Sequence, residues 1–162
     1  MKNIKTLLAD GFLSFAYMYG SAWIAFLISM IPMYIFRGTY HNSTNKELYE
    51  NLLRMSIGLI VSSVSLILRY RSGDSVGKKT AKEAFFSALI GGGFYWLLWV
   101  ICGGIYVIAV DGYCLAVLIG KHSNGNPTAL GATISATVFC SVYVGAVLLG
   151  SYFARKKRNT RS

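Results

Sequence analysis

Residues 84–119 read AFFSALIGGGFYWLLWVICGGIYVIAVDGYCLAVLI. These 36 residues carry one formal charge, Asp111, with five glycines ahead of it. One membrane crossing takes about 20 predominantly apolar residues. The stretch is too long for one crossing and barely long enough for two, so its threading decides the topology of the whole chain.

The surrounding sequence puts membrane insertion beyond a matter of one segment. The chain is 54% hydrophobic with a mean hydropathy of +0.50, and only 14% of its residues are charged, against roughly a quarter in soluble domains. The apolar residues fall in long runs separated by short polar ones, the pattern of a polytopic membrane protein. A transmembrane barrel would alternate polar and apolar residues over strands of about 10. Runs such as Ile57-Gly58-Leu59-Ile60-Val61 do not alternate. The sequence therefore predicts an all-α integral membrane protein, one bundle over residues 1–162 with helices at about 11–36, 48–69, 84–107 and 129–153. The second span is the weakest, with an uncharged core of only 14 residues, Met55 to Leu68, between Arg54 and Arg69.

Charge placement chooses between four and five crossings. With four, and both termini inside, Lys2, Lys5, Arg69, Arg71, Lys78, Lys79, Lys82, Arg155, Lys156, Lys157, Arg158 and Arg161 lie on the inner side, 12 of 16 basic residues. That is the positive-inside bias expected over short loops. A fifth crossing would put the basic tail opposite the N-terminus and break it. Residues 84–107 are thus expected to cross once, the third helix being interrupted at Gly91-Gly92-Gly93 and Gly103-Gly104. Residues 108–119 are expected to stay on the outer side as a helix extension or a re-entrant segment. The plasma membrane with both termini cytoplasmic is the expected location. The net charge of +10 is assigned to anionic lipid headgroups at the basic loops and not to nucleic acid.

The candidate functional residues follow from cost. Asp111 is the one acid inside a long apolar run, and ionisable groups at membrane depth are expensive enough to be functional candidates. Its bland reading is a helix-ending Asp111-Gly112 turn near the outer interface. Arg54 is its candidate partner. Ala129, Thr133, Thr137, Ser141 and Gly145 recur every four residues and form one small, partly polar face. Such a face serves helix packing or, with Ser62 of the serine-rich second helix, a hydroxyl-lined path. The same five glycines, Gly91, Gly92, Gly93, Gly103 and Gly104, serve either as hinges of a broken helix or as close-packing points.

Catalysis finds little support. Gly73 to Thr80 imitates a phosphate-binding loop, but its spacing is one residue short and Lys79 replaces the magnesium-binding hydroxyl. No G-x-S-x-G, H-E-x-x-H or C-x-x-C occurs, so no catalytic, metal or cofactor site is expected. Two functions remain. One is a channel or transporter-like subunit for an ion or small solute, homo-oligomeric because four short helices seldom enclose a path. The other is a non-catalytic accessory subunit that binds a larger membrane protein. The four-crossing topology predicts that single cysteines at Ser75 and Ser123 label with a membrane-impermeant reagent from opposite sides; labelling from one side would overturn it.

Overall fold

The computed structural model describes residues 4–40, 46–72, 80–102 and 110–160, all but a few side chains within them. Five helices occur in this part: α1 (Ile4–Tyr40), α2 (Lys46–Ser72), α3 (Ala81–Cys102), α4 (Val110–Ile119) and α5 (Ala129–Asn159). No strand is present among the described residues beyond a single bridge between Lys121 and Pro127. Helices α1, α2 and α5 are long and apolar enough to cross a membrane.

Local chemistry sets the helix ends that are described. Thr80 and Glu83 form a reciprocal capping box at the start of α3. The Thr80 amide donates to Glu83 Oε2 (2.9 Å) and the Glu83 amide to Thr80 Oγ1 (3.2 Å), satisfying two otherwise orphaned positions of the first turn. Thr128 caps α5 by accepting from the Gly131 amide (3.1 Å), as its place ahead of the apolar run implies. Helix α1 runs on past Pro32 to Tyr40, beyond the expected end near residue 36. Helix α5 continues through the basic tail to Asn159, beyond the expected end near residue 153. Lys156, Lys157 and Arg158 in its last turn complement the negative end of the helix dipole.

The third helix differs from expectation. It is continuous from Ala81 to Cys102, through Gly91, Gly92 and Gly93, so there is no interruption at the first glycine cluster. Gly103 and Gly104 lie outside the described residues. The segment expected at 108–119 is not an extension of that helix. From Val110 it is a separate ten-residue helix, α4.

Packing aligns the elements. The start of α1, the end of α2, the start of α3 and the end of α5 meet at one end of the bundle. Tyr70 reaches Ser14, Ser14 reaches Ser87, and Gly150 abuts Ile67 and Tyr70. The core between them is aromatic. Tyr95, Tyr143 and Phe139 are fully buried. Tyr143 packs edge-on to Tyr95 at 5.2 Å and to Phe139 at 5.9 Å between ring centroids, in the arrangement aromatic quadrupoles favour. Ala22, Ala25, Ala88, Ala132, Ala136 and Ala146 are buried around them, whereas Leu27, Ile31, Ile60, Leu68, Leu97 and Leu130 are exposed. Small residues around an aromatic centre let the helices approach closely, which is what brings helices together in lipid, where hydrophobicity does not.

Gly150 makes that approach most plainly. A Cβ there would lie 2.7 Å from the Tyr70 Cβ and 2.8 Å from the Ile67 carbonyl oxygen, whereas one on Gly93 would meet nothing within 4 Å. Gly150→Ala is predicted to destabilise the detergent-solubilised protein by about 1–3 kcal/mol through overpacking. Gly93→Ala is predicted to be neutral or stabilising by up to about 1 kcal/mol from helix propensity. Thermal unfolding of the two variants side by side checks this; equal melting points would contradict the packing.

Candidate functional site

Helix α4 is the unusual element. Ten residues at 1.5 Å rise span about 15 Å, half of a hydrocarbon core about 30 Å thick. It cannot cross. Its last residues turn through residues 120–128 into α5, and the two helices run antiparallel. The turn is closed by amide bonds from Thr128 to the Gly120 carbonyl (2.9 Å), from His122 to that of Asn126 (2.8 Å) and from Gly125 to that of His122 (2.9 Å). Gly125 sits at φ 83°, in the region that side chains other than glycine disfavour.

Below the turn the two helices are held at backbone distance. Gly131 lies against the Ala116 carbonyl so closely that a Cβ would collide with it. One turn further, Ser135, fully buried, donates its hydroxyl to the Gly112 carbonyl at 2.6 Å. The first turn of α4 therefore lies level with Ser135, six residues or about 9 Å along α5 from Ala129. Trp99 of α3 lies at the same depth. A Cβ on Gly112 would be 2.5 Å from its indole Nε1. That Nε1 is buried and has no hydrogen-bond partner among the described residues.

The expected site residues fall into three groups. Arg54 and Asp111 belong to the α4 neighbourhood. Helices α2 and α4 pack against each other, and Lys121 just beyond α4 donates to both Glu47 carboxylate oxygens, at 2.9 and 3.1 Å. Arg54 lies seven residues or about 10 Å along α2 from that pair, and Asp111 ten residues before Lys121. Both backbones are therefore displaced from that pair toward the opposite end of the bundle, by about 10 Å and by up to about 15 Å. The Arg54 Nε is buried without a partner among the described residues; the Asp111 side chain lies outside them.

Thr133, Thr137 and Ser141 form the second group. Thr137 and Ser141 are exposed and Thr133 partly so. Each hydroxyl donates back one turn, to the carbonyls of Ala129, Thr133 and Thr137, at 2.8 Å. Thr137 also accepts from Trp96 Nε1 (3.1 Å). Gly145 extends the row with nothing within 4 Å of where a Cβ would stand. Ser62, in contrast, is fully buried and donates to the Gly58 carbonyl within α2. The structure does not bring it together with the α5 hydroxyls.

The glycines form the third group. A Cβ on Gly91 would lie 2.7 Å from the Ser14 Cβ and 2.9 Å from the Gly11 carbonyl oxygen, and one on Gly92 would lie 2.5 Å from Val144 Cγ2. The Cys140 thiol donates to the Gly92 carbonyl at 3.2 Å. Gly91 and Gly92 are thus packing points that draw α1 and α5 onto α3, and Gly93 faces outward.

One polar cluster was not among the expected residues. Tyr70 donates to Ser14 Oγ (2.7 Å), which is 3.0 Å from Ser87 Oγ, and both serines donate to the Asp10 carbonyl at 3.0 Å. Nearby, Arg69 Nη2 donates to the Tyr17 hydroxyl at 2.8 Å, its guanidinium 4.7 Å from the ring centre. The signal available was a serine inside the aromatic run of α1 and another at the start of α3. Among the described residues no three His, Cys, Asp or Glu side chains could hold one metal ion.

No protein-family model, curated protein or solved structure matches the chain, so function must be argued from these contacts. The α4 seat makes one prediction. Ser135→Ala removes the bond to Gly112 and is expected to cost about 0.5–1.5 kcal/mol and to speed amide exchange across 113–119. Ser141→Ala, whose hydroxyl bonds only its own helix, should leave α4 exchange unchanged. Hydrogen exchange read by mass spectrometry distinguishes the two; unchanged exchange in Ser135→Ala would detach α4 from Ser135.

Proposed function

We propose that the chain is a four-crossing subunit of a homo-oligomeric channel or transporter-like assembly for a small hydrophilic solute or ion. The observation that carries the reading is the outward row on α5. Helix α5 is able to span a membrane, yet Thr137, Ser141 and Gly145 are exposed along it, Thr137 at the edge of the bundle where Trp96 of α3 donates to its hydroxyl. The protomer interior is filled by Tyr95, Phe139 and Tyr143, which argues against a path through one copy. A path formed between copies would be lined by hydroxyls that have donated backward and keep acceptor capacity. Small residues allow the close approach such an interface needs.

The reading takes α3 as the fourth crossing, since its 22 residues extend about 33 Å. It takes α4 as a half-depth segment of the kind that transporters use at their binding sites, with Arg54 and Asp111 as gating candidates. Sidedness follows from charge. Lys5, Arg69, Arg71, Lys82 and Arg155 to Arg158 lie at the end of the bundle where α2 and α5 terminate, which the positive-inside rule assigns to the cytoplasm. The second reading, an accessory subunit, would use the same α5 row to bind a larger membrane protein.

The test is ion and solute flux into liposomes that hold the purified chain, together with its mass in nanodiscs. Flux by an oligomer is expected, with Thr137→Val reducing it about tenfold or more if one polar contact in the path is lost. Asp111→Asn is expected to change ion preference. A monomer with no flux for any common ion, copurifying with one stoichiometric membrane protein, would overturn the first reading in favour of the second.

A further inference from the structure

Where α2 and α5 end, a different surface is built. Gly150 locks α5 against the backbone of α2 at Ile67 and Tyr70. Beyond that contact, Arg71 from α2 and Lys156 and Lys157 from α5 face a shared cleft of about 260 Å³, completed by Phe153 and Thr160. Its lining holds three cations and no carboxylate. Among the described residues none of the three is within ion-pair distance of an acid. Close backbone packing therefore fixes like charges together, with no acid among the described residues to offset them.

We propose that this cleft binds the phosphate of an anionic lipid headgroup. The chemistry suits the group: a guanidinium offers paired donors to phosphate oxygens, and two ammonium groups add charge at flexible reach. Thr160 anchors the C-terminal end of the site. Its hydroxyl donates to the carbonyls of Lys156 and Lys157 (3.3 and 3.0 Å) and its amide to that of Lys156 (3.2 Å). The helix end thus keeps its geometry where the two lysines project.

The setting favours a lipid over a soluble phosphate. Leu68 precedes Arg71 by one turn on α2 and is 56% exposed, and Leu149 lies two turns before Lys156 on α5 and is 45% exposed. Acyl chains leaving the cleft would run along these outward leucines. Tyr152 and Phe153 are also outward, at the level where aromatic side chains mark a membrane–water boundary. The site does not depend on solute transport.

The test is lipid retention by the full chain, read by native mass spectrometry and by thermal unfolding. The purified protein is supplied with phosphatidylglycerol, phosphatidylcholine or inorganic phosphate. Phosphatidylglycerol is expected to bind and to raise the melting point, whereas phosphatidylcholine is not. The double variant Arg71→Gln, Lys157→Gln should lose roughly tenfold or more in phosphatidylglycerol affinity, at about 1 kcal/mol for each basic residue. The double variant Lys5→Gln, Lys82→Gln removes the same charge from the same end and should retain most of the binding. Equal losses in the two variants would replace the site with diffuse attraction and overturn it. Stabilisation by inorganic phosphate without preference between the two lipids would overturn the lipid assignment.

Discussion

Three places where one helix meets the backbone of another hold this bundle together. Gly150 brings α5 onto α2 at Ile67 and Tyr70, Gly91 brings α3 onto α1 at Gly11 and Ser14, and Gly131 brings α5 onto α4 at Ala116. In lipid the apolar face of a helix gains nothing by meeting another apolar face, so dispersion at short range and hydrogen bonds must supply the association. A glycine at the crossing point lets both. Each of the three contacts has a polar bond within about a turn of it: Tyr70 to Ser14, Ser87 to the Asp10 carbonyl, and Ser135 to the Gly112 carbonyl. The glycines set the distance, and the hydroxyls use it.

That pairing explains why the polar interior is made of serines and tyrosines. Ser14, Ser29, Ser62, Ser87 and Ser135 are almost completely buried, and each has a partner close at hand, a backbone carbonyl of its own or a neighbouring helix; Ser151, equally buried, has none among the described residues. A hydroxyl satisfied in this way is tolerated at membrane depth, where an unpaired polar group costs several kcal/mol. Tyr70 differs because it joins three helices through the Ser14 and Ser87 pair. It sits at the basic end, beside the Arg69 to Tyr17 contact, so that end carries most of the directional bonding between α1, α2 and α3.

The helical class, the apolar spans and the Thr128 cap could be read from the residues because each depends on local composition. The capping box at Thr80 was equally local, a Thr-x-x-Glu in plain view behind a basic loop. What could not be read was which face of a helix points inward. The four-residue row on α5 and the neighbouring row of Ala132 and Ala136 are both small, and only packing shows that the alanines are buried and the hydroxyls of Thr137 and Ser141 exposed. Gly91, Gly92 and Gly93 are identical in sequence, yet two are packing points and one faces open space. A triple glycine in solution weakens a helix, but in α3 contacts on two sides keep it intact. Ser62 and the α5 hydroxyls looked like one set because both are hydroxyl-rich; burial of α2's inner face separates them.

The depth of α4 changes the meaning of the charges around it. Counting basic residues puts Asp111 at the outer edge of the bilayer, where an acid is inexpensive. The bond from Ser135 to Gly112 instead ties the first turn of α4 about 9 Å along α5. An acidic residue in a first turn is complemented by the positive end of its helix. On α2, Arg54 is displaced from the Glu47 to Lys121 pair by a similar distance, and its Nε has no partner among the described residues. Ser135 thus fixes the first turn of α4 against α5, and Gly112 in that turn lets it lie against the Trp99 indole.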